Sequence, residues 1–282
     1  MEKDMQQSNE HKFIPMTSIS SGKGREVLAD VYYYTNQIVN LIMIGHPHKG
    51  PWVLIDAGMP TCGQEILAVA QNRFGKDNVP SAVLLTHGHF DHVGGLIHLL
   101  EKWDVPVYAH PLEFPFLTGV KAYPKPDPSV EGGLLAKLSF IYPISPINIQ
   151  NRLHPLPSDH TLPSLPGWEW IHTPGHSPGH VSMFRKSDRT LISGDAFITV
   201  KQDSLYQVLL QKEEISGPPR YLTTDWQQAW DSVRILNSLH PQLVIPGHGN
   251  AMNGPSLKEG LQILAQEFNT RAIPDHGKYL DE

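Results

Sequence analysis

The chain has 282 residues, 40% of them hydrophobic and 18% charged, with a formal net charge of -6. That length supports one large core or two small ones, and an acidic balance with no Lys/Arg run argues against a nucleic-acid partner. No stretch approaches the roughly 20 apolar residues that span a bilayer, and the opening MEKDMQQSNEHK lacks an apolar core segment, so a soluble cytoplasmic protein without a membrane partner is expected.

The β-branched and aromatic run VLADVYYYTNQIVNLIMI, Val27 to Ile44, leads through GHPHKGP to WVLID and reads as strands joined by a hairpin, the last ending at Asp56. The lone cysteine, Cys62, rules out an internal disulfide and has no charged or histidine neighbour in sequence to lower its pKa, so a structural role is expected. From Gly63 to Phe74 the apolar residues Ile66, Leu67, Ala70 and Phe74 recur at helical spacing, with Gly75 as the stop. The strand SAVLLT, a histidine-rich loop, a helix with Leu96, Leu99 and Leu100, and the strand VPVYAH complete the first half.

Residues 111–166 break this pattern with recurring prolines among Phe114, Phe116, Leu117, Tyr123, Phe140 and Tyr142. A disordered linker carries fewer aromatics, so an ordered lid or pocket wall over the site is expected, with scaffold packing or subunit pairing as the alternative. The second half repeats the plan with strands near Trp168–His172, Val181–Arg185 and Thr190–Ser193, followed by a second irregular stretch, 197–222. Thr224 with Gln227 resembles a capping box before a helix whose stripe is Trp226, Ala229, Trp230, Val233 and Leu236. The strand QLVIPGHG and a final helix opened by Pro255, with Leu257, Leu261, Leu264 and Phe268 inward, end the pattern. One catalytic domain over 1–282 is expected, with two sheets packed together and helices on both outer faces.

Five histidines and two aspartates stand at ends of these strands: His87, His89, Asp91 and His92 in THGHFDH, His176 in TPGHSPGH, Asp195 in ISGDAF and His248 in IPGHG. Each cluster follows a short apolar run and is studded with Gly or Pro, which places it in a tight loop. Imidazole and carboxylate are ligands of zinc, iron and manganese. His87 and His89, two apart, point the same way on extended backbone and can share an ion, while Asp91 and His92 at the following turn can serve a second about 3.5–4 Å away. A solitary histidine in such a loop is usually a surface or core residue, which is the expectation for His98, His110, His154, His160, His172, His180, His240 and His276.

THGHFDH, TPGHSPGH, SGDA and PGHG in that order, with Asp56 in IDAG upstream, resemble the motif series of the metallo-β-lactamase superfamily over about Val27 to Phe268. The resemblance implies an α/β, four-layer αββα sandwich. It also implies that His87, His89 and His176 hold one metal, that Asp91, His92 and His248 hold a second, and that Asp195 bridges them. Asp56 is implied to brace the metal loop from behind the ligands. The cofactors would be two divalent ions, zinc first, with manganese or iron as alternatives. A hydroxide held between the ions would attack the substrate, with Asp91 as ligand and proton acceptor.

The substrate expected from these features is a small ester, thioester or lactone. TPGHSPGH and SGDAF resemble glyoxalase II and lactonase segments, although AFITV after Asp195 lacks the tyrosine of those lactonases and no C-terminal basic cluster offers a glutathione carboxylate site. Asp195 stands where many true β-lactamases carry cysteine, which argues against antibiotic hydrolysis. Three alternatives stay open: an iron oxidoreductase of the persulfide dioxygenase type, a phosphodiesterase or nuclease, and a non-enzymatic binding module.

Overall fold

The computed structural model describes residues 5–7, 12, 14, 17–131, 133–200 and 213–280, and these fall into two compact units. The first comprises Met1–Tyr123 and Pro143–Pro166, the second Pro124–Tyr142 and Gly167–Glu282.

In the first unit the run Val27–Ile44 resolves into the end of β1 (Lys23–Leu28), which begins on four exposed residues ahead of it, and into β2 (Val31–Asn36) and β3 (Val39–Ile44), because Asp30 and Gln37 fall at tight turns. Gln37 takes φ 57 in the two-residue connection that sets Asn36 opposite Val39. β4 (Val53–Ile55) pairs antiparallel with β3. Helix α1 (Gly63–Phe74) then crosses over to β5 (Ala82–Leu84), parallel to β4. Two short helices, α2 (Phe90–Val93) and α3 (Leu96–Leu100), cross to β6 (Val107–Ala109). α3 is the helix expected with Leu96, Leu99 and Leu100, α2 is an additional turn within the histidine-rich segment, and Gly94 and Gly95 separate the two. A Cβ on Gly94 would lie 2.1 Å from the backbone nitrogen of Pro60, and its N–H is bonded to Gly58 O at 2.8 Å, so the chain bends to pass that loop.

Ile66, Leu67, Ala70 and Phe74 of α1 pack with Leu41, Met43, Leu54, Val83, Leu96 and Leu100 in one core. Trp52 stacks on Phe74 with ring centroids 4.3 Å apart, an arrangement worth about 0.5–1.5 kcal/mol beyond area burial. Alternate residues on the other face, Ile42, Ile44, Val53, Ile55 and Leu84, are buried as well, which is why these strands read as unbroken apolar runs.

The irregular stretch 111–166 holds more regular structure than its sequence shows. After a 3-10 turn at Pro111–Glu113 and α4 (Phe114–Leu117), β7 (Leu153–Pro155) adds a seventh strand parallel to β6. A three-residue edge strand, LHP, has no alternation to read, and its proline is tolerated at an edge. Phe116, Leu117, Tyr123 and Tyr142 are buried, whereas Phe140 is 68% exposed. Of this stretch, α5 (Gly133–Lys137) and a 3-10 turn at Ser139–Ile141 belong to the second unit.

The second unit is built on a five-stranded sheet of β8 (Trp168–His172), β9 (Val181–Arg185), β10 (Thr190–Gly194), β13 (Leu243–Pro246) and β14 (Met252–Asn253), in the order β14-β13-β10-β9-β8. Only β10 and β13 run parallel. The segment 197–222 contains a ribbon of β11 (Ile198–Val200) and β12 (Glu213–Ser216); residues 201–212 lie outside the described residues. Helices α6 (Trp226–Ser238), α7 (Gly254–Gln266) and α8 (Phe268–Arg271) supply the core with Trp226, Val233, Leu236, Leu257, Leu261, Leu264 and Phe268. Trp230 donates its indole N–H to Ala265 O at 2.8 Å and stacks on Phe268, so both tryptophans of the stripe are packing residues.

The cap of α6 is Asp225 rather than Thr224. Asp225 is extended (φ -138, ψ 100) and its Oδ1 accepts the Gln228 N–H at 2.8 Å, one residue later than the capping box read from sequence. The shift arises because Gly175 O accepts the N–H groups of both Thr224 and Asp225, holding the chain outside the helix for one more residue. Asp225→Ala is therefore expected to cost about 1 kcal/mol in urea unfolding, with Thr224→Ala close to neutral; the reverse order would restore Thr224 as the cap.

Candidate functional site

In the first unit, β5 ends at Leu84 and the loop beyond it carries His87 and His89, with Asp91 and His92 on α2; all four are buried. The imidazoles crowd together, His87 to His89 at 4.6 Å and His87 to His92 at 4.2 Å between centroids. His92 Nε2 lies 3.9 Å from Asp91 Oδ2.

Asp56, just past β4, holds this loop in place. Its Oδ1 accepts the Thr86 N–H at 2.8 Å, and its Oδ2 accepts the Thr86 hydroxyl at 2.7 Å and His92 Nδ1–H at 2.8 Å. Asp56 has φ 59, a left-handed conformation that Asp and Asn tolerate better than other side chains. Its own N–H bonds Leu84 O, and the next N–H, of Ala57, bonds His92 O.

These bonds decide tautomers. The single Thr86 hydroxyl hydrogen goes to Asp56, so Thr86 Oγ1, 3.0 Å from His87 Nδ1, accepts from that nitrogen. His87 and His92 therefore both carry hydrogen on Nδ1 and present a lone pair on Nε2, the state in which imidazole binds a metal.

In the second unit the same logic holds His176. Thr223 donates its hydroxyl to Pro219 O at 2.8 Å, so it accepts from His176 Nδ1 at 3.1 Å, and the hydrogen of the ring lies on Nδ1 rather than Nε2. Asp195, after β10, places Oδ2 3.5 Å from His176 Nε2 and 3.3 Å from His248 Nε2, between the two rings. All three residues are buried. Gly175 has φ 124 and its Cβ position lies 2.3 Å from the Ala229 nitrogen, so only glycine lets the PGH loop lie against the start of α6.

His180, outside the ligand set read from sequence, has a different task. Its Nε2 accepts the Asp195 N–H at 2.9 Å, so its Nδ1–H faces Thr173 Oγ1 at 2.9 Å. Thr173 in turn lies 3.0 Å from Ser182 Oγ, and Ser182 donates to Ser193 O, two residues before Asp195. With both ring nitrogens engaged in the scaffold, His180 holds the backbone of Asp195. Elsewhere, His172 bonds Pro178 O, His154 lies over Tyr108, and His98 lies beside Gln64 and Glu101.

Sequence reading passed over Glu113 and named Tyr123 only among the aromatics of a lid or pocket wall. Both side chains reach the Gly88 N–H, at 2.9 and 3.0 Å, and the buried Glu113 carboxylate accepts the Tyr123 hydroxyl. Burial first, and the Glu113 charge second, hold the Tyr123 phenol well above its ordinary pKa. Cys62, beyond the ligand loop, donates its thiol to Ala57 O at 3.3 Å, and burial pushes its pKa up, so it is not a nucleophile.

Among the described residues, the His and Asp groups suited to hold a metal ion are drawn from His87, His89, Asp91, His92, His176, Asp195 and His248. The donor set fits a divalent transition metal: five imidazoles, of which His87, His92 and His176 each turn Nδ1 to a scaffold oxygen, with carboxylates beside them.

Residues 34–248 match the family model described as the metallo-beta-lactamase superfamily. A probable metallo-hydrolase of Bacillus subtilis, YflN, is 44% identical over 92% of this chain and 98% of its own length. Among solved structures, TTHA1623 in a di-iron-bound form is similar at 29% identity with a TM-score of 0.52, covering 81% of this chain and 92% of that one. The BLEG-1 B3 metallo-beta-lactamase is similar at 25% identity with a TM-score of 0.55, covering 82% and 94%.

Replacing Asp56 isolates the brace from the ligands. Asp56→Ala leaves the Thr86 N–H and His92 Nδ1–H without their buried acceptor, and losses of this kind cost about 1–3 kcal/mol each. Denaturant unfolding of metal-free protein is expected to show a destabilisation of that order, with Asp56→Asn milder because it keeps an acceptor and tolerates the backbone. Equal stability of Asp56→Ala and wild type would remove Asp56 from this role.

Proposed function

Since the chain belongs to the metallo-β-lactamase superfamily and is a metal-dependent hydrolase, we propose that its substrate is a small ester, thioester or lactone and that two divalent ions, zinc first among the candidates, serve the reaction. His87, His89 and His176 would hold one ion, and Asp91, His92 and His248 the other, with Asp195 shared. The observation that carries this reading is the directed state of the imidazoles. His87, His92 and His176 each give Nδ1–H to a scaffold oxygen, and Asp195 Oδ2 stands between two Nε2 atoms as a shared ligand would. The di-iron-bound relative makes iron the alternative metal.

When bound, the ions supply positive charge that polarises a carbonyl oxygen and makes a water acidic near neutral pH. Asp91 accepts the proton of the attacking water and returns it to the leaving group. Asp56 and Thr86 keep His87 and His92 in the ligand tautomer, Thr223 does so for His176, and His180 keeps Asp195 in register. No protein nucleophile is needed, in accord with the buried, raised thiol of Cys62. The irregular stretch 111–166, with the described residues of 197–222, would supply the wall that selects the substrate. A single catalytic domain working on a small molecule in the cytoplasm, without nucleic-acid or membrane partners, completes the proposal; no helix among the described residues is long and apolar enough to cross a membrane.

Metal analysis coupled to a panel of lactone, thioester, phosphodiester and β-lactam substrates tests the reading. Two ions per chain are expected, with turnover confined to carbonyl esters, thioesters or lactones; turnover of phosphodiesters alone would overturn it. His87→Ala and Asp195→Ala are expected to abolish turnover. His248→Ala is expected to retain one ion of the two, and loss of both together would show the partition to be wrong.

Asp91→Asn separates ligand from proton acceptor. The variant is expected to keep its fold and some metal while kcat falls roughly 10²–10⁴-fold, the usual contribution of general acid–base catalysis. Metal-loaded Asp91→Asn with wild-type kcat would leave Asp91 a ligand only.

A further inference from the structure

Glu113 ends the 3-10 turn Pro111–Glu113 in the first unit and has no exposed surface. The peptide that joins His87 to His89 presents its N–H, that of Gly88, into a fork formed by Glu113 Oε2 and Tyr123 Oη. Tyr123 closes the fork by donating its hydroxyl to the same carboxylate oxygen, and its ring lies 4.4 Å from that of His89 and stacks on Phe116 at 3.9 Å. The fit is close: a Cβ at position 88 would come within 2.7 Å of Tyr123 Oη and 3.4 Å of Glu113 Oε2.

Burying a carboxylate is costly unless hydrogen bonds and a positive charge compensate. Among the described residues, Asp56, Asp91, Glu113, Asp127 and Asp195 are buried, and no lysine or arginine is. Asp127 is held apart by the backbone N–H groups of Ser129 and Lys278 in the second unit. Four buried carboxylates remain on the ligands or their braces.

We propose that Glu113 and Tyr123 are positioning residues that set the peptide between His87 and His89, and that the buried Glu113 carboxylate, held against that peptide, strengthens metal binding there by its negative charge. This rests on the two-ion reading given above. Glu113 then acts on the ions through the ligand loop and through its field, without touching substrate. Tyr123, in a stretch expected to form a lid, braces the loop from behind.

Zinc affinity measured by competition with a chromophoric chelator, together with thermal unfolding of the metal-free proteins, tests the proposal. Glu113→Gln keeps an amide oxygen for the Gly88 N–H and the Tyr123 hydroxyl and removes the charge, exchanging the other oxygen for an NH2 group. It is expected to bind zinc about 10–100-fold more weakly, the usual effect of losing a partner behind the ligands. Its metal-free form is expected to melt at or above the wild-type temperature, since a buried charge has gone. Tyr123→Phe is expected to stay folded, weaken zinc binding less, and alter the visible spectrum of the cobalt-substituted protein. Glu113→Gln that binds zinc as tightly as wild type, or whose metal-free form is destabilised, overturns the proposal and makes the contact merely structural. Wild-type protein that binds fewer than two zinc ions would instead fail the two-ion reading itself, a result visible before any variant is made.

Discussion

The Asp56 carboxylate is the interaction on which the histidine-rich loop of the first unit depends. One buried side chain ties the end of β4 to the loop after β5 and to α2, through Thr86 and His92, while its backbone N–H holds Leu84 O. Parallel strands bring their C-terminal ends to one edge but leave the loops beyond them without ladder partners. An acceptor with two oxygens and several lone pairs can gather three donors from two elements at once. The left-handed backbone of Asp56 is the local cost, of order 1 kcal/mol, and it persists because the surrounding bonds over-determine it.

The same economy recurs in the second unit. Thr223 and Thr173 are buried hydroxyls, each set against a histidine ring nitrogen, and each belongs to a short chain of bonds ending on a backbone carbonyl. A hydroxyl has one hydrogen, so once its donation is fixed the neighbouring ring must donate to it. Histidine orientation thus follows from threonine placement. His176 keeps its Nε2 toward Asp195 and stands as a candidate ligand, whereas His180, four residues on, spends Nε2 on the Asp195 N–H and becomes a support. Two histidines in one motif acquire opposite roles by their partners alone.

Placing supports in irregular segments has a physical logic. Glu113 and Tyr123 come from a stretch with little periodicity, yet they clamp the peptide at the centre of the ligand loop. A loop that must approach a ligand peptide from outside the sheet cannot be a regular strand. Its chemistry lies in single side chains rather than in a repeating pattern. The buried aromatics there, Phe116 and Tyr142 with Tyr123, are anchors by their burial, while Phe140 faces solvent.

Much was legible from residue order alone. The candidate ligands stood out because metal chemistry requires specific atoms that His and Asp at loop positions provide, and those residues form groups that could hold an ion; α1 ran from Gly63 to Phe74 because its apolar spacing and its terminal glycine agree. Strands β8, β9 and β13 could be placed because buried strands must be apolar, and Cys62 as a structural thiol because nothing in its neighbourhood could stabilise a thiolate. What residue order could not supply was partnership across long separations. β7 joins the first sheet through three residues without alternation, the cap of α6 moved to Asp225 because a carbonyl 50 residues earlier captured two N–H groups, and the opposed roles of His176 and His180 rest on hydroxyls that no local pattern marks. Local propensity and periodicity report one element at a time, whereas hydrogen-bond partnership is settled only when distant segments meet, so tertiary structure alone decided which side chains became ligands' supports.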